Sequence, residues 1–217
     1  MKFNLHSSIK KTLLSFFLVG LSSVTLAQSR PIEEGFDYRV LPAAQAIESK
    51  GSIEVLEFFW YGCPHCHDFE PQLDAWVKRQ GKDVYVRKVP VAFRDDLLPH
   101  SQLFYALESL GKSNLHAKVM DAIHVGKKKL LTEAEITDWV ASQGVDREAF
   151  SKAFKSFTVT SKARAANQIA QSYRIDGVPT VAVQGKYITS PSITGGSKAR
   201  AIDAMDHLIN KVRKEKR

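Results

Sequence analysis

Cys63 and Cys66 are the only two cysteines of this 217-residue chain, and they stand in the run Gly62-Cys63-Pro64-His65-Cys66-His67. Thiols spaced this way can form a small structural disulfide, hold a soft metal ion, or cycle between dithiol and disulfide. A structural bridge is the weakest of the three, because so short a loop restrains the unfolded chain little. A zinc or copper site needs further ligands. His100, His116, His124 and His207 are scattered singly through helical segments and read as surface or helix-end residues. The Cys-x-x-Cys-His order also occurs at haem attachment sites. A proline inside the motif, and a position opening a helix, argue against haem. Redox exchange needs a stabilised thiolate, and the flanking residues supply one.

The flanks must place the motif where a buried strand turns into a helix. Ile53, Val55, Leu56, Phe58, Phe59 and Trp60 form a near-continuous apolar run of the kind buried on both sheet faces. After Gly62, Phe69, Leu73, Trp76 and Val77 recur at helical spacing, so a helix is expected from Pro64 until Gly81 stops it. Pro64 suits the first turn, where its missing N–H breaks no hydrogen bond. A Cys63 thiolate would then face unpaired N–H groups and the positive end of the helix dipole. That setting lowers a thiol pKa and makes the sulfur a good leaving group. His65 can donate a hydrogen bond or add partial positive charge, whereas Cys66, one turn in, is expected to be buried and less reactive.

The remaining elements frame this unit. Tyr38–Leu41 reads as a short edge strand and Val84–Val91 as the strand completing a right-handed β-α-β unit. From about Asp95 to Tyr173 the pattern is helical. Leu103, Phe104, Leu107 and Leu110 share one face before Gly111, and Leu115, Val119, Met120 and Ile123 share another. Thr132 and Glu135 form a capping box, Asp146 caps a helix burying Phe150 and Phe154, and a last run covers Val159–Tyr173. Thr180–Val183 and Lys186–Ile188 then read as a hairpin across Gln184-Gly185, and Ser197 opens a closing helix.

Residues 1–27, with Lys2, Lys10 and Lys11 before an apolar run and Thr25-Leu26-Ala27 at its end, read as a secretory signal peptide cleaved after Ala27. Cleavage lowers the formal charge from +8 to +5, much of it in Lys127–Lys129 and the tail from Lys211. So mild a charge, without aromatic interleaving, gives no case for nucleic acid. Glu57 is an acid inside an apolar strand, where an unpaired charge would be costly.

The chain resembles the DsbA family, exported thiol:disulfide oxidases of thioredoxin fold. The likeness rests on Val55-Leu56-Glu57-Phe58-Phe59, Cys63-Pro64-His65-Cys66, Gly177-Val178-Pro179 and the helical insert between them. It implies an α/β thioredoxin fold, β-α-β followed by β-β-α. Residues 28–94 and 174–217 would form the discontinuous thioredoxin-like domain, and residues 95–173 an inserted all-helical subdomain. The resemblance implies that Cys63 is the reactive thiol and Cys66 its partner in a redox disulfide, with no other cofactor and no metal. Val178-Pro179 would be a cis-proline loop whose backbone pairs with substrate. Glu57 would lie beneath the site and shuttle protons, with Glu70 and Lys88 a charged pair nearby. The implied partners are unfolded exported proteins with free cysteines and a DsbB-like membrane quinone reductase, for a monomer in the periplasm of a Gram-negative bacterium. An exported reductase or isomerase on the same fold is the nearest rival, and a metal-binding or chaperone module without turnover the more distant one.

Overall fold

The computed structural model describes residues 30–216; the expected signal peptide lies outside them. The described residues from Ile32 onward make one compact unit. Its elements are β1 (Arg39–Val40), β2 (Ile53–Phe59), α1 (Pro64–Lys78), β3 (Val84–Pro90), α2 (Leu98–Ser109), α3 (His116–His124), α4 (Glu133–Ser142), α5 (Arg147–Lys155), α6 (Phe157–Ser172), β4 (Thr180–Val183), β5 (Tyr187–Thr189) and α7 (Lys198–Glu215). The sheet order is β1-β5-β4-β2-β3, with β2 parallel to β3 and the other pairs antiparallel. The continuous apolar run thus occupies an interior strand, and all seven β2 residues are buried.

Alternation along β2 feeds two cores. Ile53 and Val55 pack with Phe69, Leu73 and Trp76 of α1 and with Met205, Leu208 and Ile209 of α7. Leu56 and Phe58 belong to the second core, which the helices between β3 and β4 supply through Leu103, Leu107, Phe150, Ala166 and others. Those helices therefore share a core with the sheet. Asp206 ties the first core together from α7, accepting from Trp76 Nε1 and Arg79 at 2.7 Å each.

Local signals place most boundaries. Thr132 and Glu135 make the reciprocal capping box of α4, and Asp146, Ser156 and Ser197 each accept from a backbone N–H to cap α5, α6 and α7. Such a cap contributes about 1 kcal/mol. At the β4–β5 turn, Gln184 and Gly185 both have positive φ, 53° and 64°, as the two-residue hairpin requires. A Cβ on Gly185 would lie 2.3 Å from the Gln45 carbonyl oxygen, so only glycine fits there.

One expectation fails at the end of α1. The helix stops at Lys78, before Gly81, and Gly81 is not left-handed. The last carbonyls are instead satisfied by the Arg79 and Gln80 amides, which donate to Trp76 and Val77 oxygens at 3.2 and 3.1 Å, and by the Gln80 side chain. Smaller shifts occur elsewhere. Ser156 starts α6 at Phe157, before the expected Val159, and β5 runs one residue later than expected.

Candidate active site

Cys63 is the N-cap of α1, with extended backbone (φ −86°, ψ 115°), and Pro64 is the first helical residue. Its carbonyl accepts the Cys66 and His67 amides at 3.1 and 3.2 Å, closing the first turn. No side chain caps this helix end, so the thiol itself faces the first-turn N–H groups. Both cysteines are free thiols. Cys63 keeps 8% of its surface exposed, whereas Cys66 keeps none.

Across the site, the Val178–Pro179 peptide is cis, and the Cys63 thiol donates to the Val178 carbonyl at 3.3 Å. Residues 115 apart in the chain are thereby brought together. A hydrogen bond from Cys66 holds the Cys63 thiol down to about 6; burial opposes this, and the Cys66 and His65 amides and the His65 charge reinforce it. Burial pushes the Cys66 thiol strongly upward, and a thiolate at Cys63 pushes it further. Two thiols one turn apart are thus driven in opposite directions, one toward a leaving group and one toward a proton-holding group.

Behind Cys66 lies a buried charged cluster. Glu57 and Lys88 are cross-strand partners in the β2–β3 register. Lys88 Nζ donates to Glu57 Oε2 at 2.5 Å and to Glu70 Oε1 at 2.6 Å. His116, from the start of α3, places Nε2 3.3 Å from Glu70 Oε1 and has Nδ1 3.0 Å from the Tyr61 hydroxyl. The two carboxyls respond differently. Burial pushes Glu57 up to about 7 against the pull of Lys88. Burial also raises Glu70, but His116 and Lys88 outweigh it and hold Glu70 at about 2. Burial pushes Lys88 down, but its two carboxylate neighbours more than reverse this. Burial lowers His116, favouring the neutral ring. One lysine shared by two carboxyls leaves Glu57, whose Oε1 is buried with no protein partner, as the group able to carry a proton near neutral pH.

His100 and His116 stand in the first turns of α2 and α3, at helix ends as expected, but they are buried, at 3% and 8% exposure. His100 Nε2 donates to the Lys129 carbonyl at 2.9 Å, and His116 is enclosed by Phe59, Tyr61 and Phe104. Single histidines on helices are buried when the neighbouring element offers them a polar partner, and spacing does not reveal that. His67 and His124 stack 4.9 Å apart, with His67 Nε2 2.9 Å from Asp121 and His124 Nε2 donating to the Tyr61 carbonyl at 2.9 Å. This joins the first turn of α1 to α3. Among the described residues, no three His, Cys, Asp or Glu side chains group closely enough to hold a metal ion. Of the residues singled out from the sequence, Cys63, Pro64, His65, Cys66, Val178, Pro179, Glu57, Glu70 and Lys88, the structure sets Cys63 against Val178 and Lys88 between Glu57 and Glu70. Sequence reasoning left His116 as a surface or helix-end residue and Tyr61 at the rim of the site; the hydrogen bond between them, 55 residues apart, has no local signal.

A groove of about 570 Å³ opens beside His65, Val178 and Pro179. Its lining includes apolar Ile175, Ile188 and Ile193 and charged Arg39, Arg174, Asp176 and Lys198.

Comparison with known proteins adds four findings. A family model described as a DSBA-like thioredoxin domain matches residues 54–203. The thiol:disulfide interchange protein DsbA of Burkholderia cepacia is 44% identical over 211 residues, covering 95% of this chain and 99% of that protein. The protein of the same name from Azotobacter vinelandii is 39% identical, covering 92% of each. The crystal structure of Pseudomonas aeruginosa DsbA is 36% identical and superposes with a TM-score of 0.80, covering 85% of this chain and 96% of that one.

Proposed function

The chain belongs to the DsbA family of thiol:disulfide oxidoreductases, and we infer from this and from the site that Cys63 and Cys66 are its working pair. The protein is a periplasmic dithiol oxidase of thioredoxin fold. The observation that carries the residue assignment is the position of Cys63, an N-cap thiol facing the Val178 carbonyl with Cys66 buried behind it.

In the disulfide form, a substrate thiolate attacks Cys63 Sγ and the Cys63–Cys66 bond breaks. The electron pair leaves on Cys66, whose buried sulfur then takes a proton, with Glu57 as the nearby carboxyl able to give one. The substrate's second thiolate attacks its own sulfur in the mixed disulfide and expels Cys63 as thiolate. Two electrons pass from substrate to enzyme, and the stability of the Cys63 thiolate drives the transfer. Pro64 presets the helix start, and His65 adds positive charge beside the sulfur. Val178 and Pro179 pair with the substrate backbone, and Lys88 with Glu70 holds Glu57 in place. The fold divides into residues 28–94 with 174–217 and an inserted helical subdomain at 95–173. Residues 1–27 are removed on export. The enzyme acts as a monomer on unfolded exported proteins, needs no cofactor beyond its own disulfide, and is reoxidised by a DsbB-like membrane quinone reductase.

The test is the reduction potential of the Cys63–Cys66 pair in a glutathione buffer. A value well above about −270 mV, the potential of thioredoxin, is expected; a value at or below it would make this an exported reductant. The depressed Cys63 pKa also fixes a pH dependence. Its stabilising effect is complete above the unfolded thiol value near 9 and is lost as pH falls through about 6. The reduced form should therefore gain thermal stability over the oxidised form between pH 6 and 9, and lose it again above about 9, where the unfolded state releases the Cys66 proton that the folded state keeps.

A further inference from the structure

We propose that the groove beside Val178–Pro179 selects polypeptides carrying aspartate or glutamate next to the cysteine being oxidised. This rests on the dithiol-oxidase reading and specifies which substrates that site takes. Three cations reach the groove from three separate segments: Arg39 from the edge strand β1, Arg174 from the turn after α6, and Lys198 from the first turn of α7. Asp176 is the single acid among the lining residues. Lys198 is partly engaged by Asp68, whose carbonyl lies at 3.2 Å and carboxylate at 3.9 Å. Arg39 and Arg174 make no side-chain hydrogen bond or ion pair among the described residues, so two guanidinium groups face the groove unneutralised.

Arg174 bears on this most directly. Its φ is +53°, the left-handed conformation that follows a helix and is usually filled by glycine. An L-residue with a Cβ is disfavoured there, yet a long cationic side chain occupies the position and lines the groove. A guanidinium pairs bidentately with a carboxylate, in a geometry lysine cannot reproduce. The apolar lining residues would seat the segment while the arginines read its charge. Opposite charges on the substrate gain from both arginines, and lysines are repelled.

The experiment uses the purified mature enzyme and matched dithiol peptides that differ only in having glutamate or lysine beside the reactive cysteine. At low ionic strength, kcat/KM for the glutamate peptide should exceed that for the lysine peptide about three- to tenfold, as two solvent-facing ion pairs allow. The ratio should shrink toward one in about 0.5 M salt. Arg39→Gln with Arg174→Asn should abolish it, since asparagine tolerates the left-handed backbone. Lys211→Gln with Lys214→Gln, far along α7, should leave it intact. Equal rates for the two peptides, or equal loss in the distant control, would overturn the proposal. Oxidation of dithiothreitol, which is uncharged, should be unchanged in every variant. If dithiothreitol is not oxidised even by the wild type, the dithiol-oxidase reading fails and the proposal fails with it. If it is oxidised without peptide discrimination, only the proposal fails.

Discussion

The rim of the site and the cluster behind it handle burial in opposite ways. At the rim, Cys63 is nearly buried, yet its pKa falls to about 6, because hydrogen-bond donors converge on its sulfur. Three residues later Cys66 is fully buried, and its pKa rises. The same contrast recurs among the carboxyls. Glu70, approached by both Lys88 and His116, is held near 2, whereas Glu57, sharing only Lys88, is pushed up to about 7. Burial sets how much is at stake for each group, and the supply of donors decides the direction. A rim that stabilises an anion and an interior that stores a proton together suit a disulfide that readily accepts electrons.

Breaking the rim should have the largest effect. Cys63→Ser is expected to abolish dithiol oxidation while leaving the circular dichroism spectrum intact, since serine is itself a good N-cap, and above pH 6 it should melt below the reduced wild type, having lost the stabilising thiolate. Cys66→Ser, first charged at Cys63 as a mixed disulfide with glutathione, should instead accumulate a Cys63 mixed disulfide with a single-cysteine substrate whose thiolate expels glutathione, seen on non-reducing gels. If Cys66→Ser accumulated none, the assignment of Cys63 as the attacked sulfur would be wrong.

Breaking the interior comes next. Lys88→Met leaves two buried carboxyls without their cation and should cost about 3–5 kcal/mol at pH 7, measured by urea unfolding. With the cation gone, both folded-state pKa values rise. The deficit should therefore be greatest at neutral and higher pH and shrink as pH falls toward the ordinary carboxyl range. A pH-independent deficit would mean that lost packing dominates.

Glu57→Gln sharpens the comparison at smaller scale. A folded pKa of about 7, against an ordinary 4.5, means that the native state holds a proton the unfolded state releases. The wild type should thus lose stability relative to the glutamine variant, by about 3 kcal/mol, as pH rises from 4.5 to 7, with no further change well above that. Parallel curves would place the proton elsewhere. The smallest effect belongs to His116→Gln, which removes the bridge between Tyr61 and Glu70. A loss of about 1–2 kcal/mol is expected from the denaturation midpoint, and wild-type stability would show that this contact contributes nothing.

The placement of the site residues was legible wherever the signal was local. An apolar run ending at Gly62, a proline after Cys63 and helical spacing from Phe69 to Val77 suffice for a strand, a turn and a helix with the thiol at its tip. The caps at Thr132, Asp146 and Ser197 were legible for the same reason, since each depends on atoms within four residues. Gly81 misled because a glycine near a helix end is only a common stop, and here the Arg79 and Gln80 amides and the Gln80 side chain satisfied the last carbonyls first. The burial of His100 and His116 was not legible, because it depends on what faces them across the core.

By itself, then, the sequence determined where the thiols stand relative to a helix N-terminus, because that geometry follows from the backbone of a few consecutive residues. Tertiary structure alone decided the rest. The β2–β3 register set Glu57 beside Lys88, the packing of α3 brought His116 to Glu70, and the return of the chain 115 residues later put the Val178 carbonyl on the Cys63 thiol. These are contacts between segments distant in sequence, fixed by the joint burial of two cores that no single segment encodes.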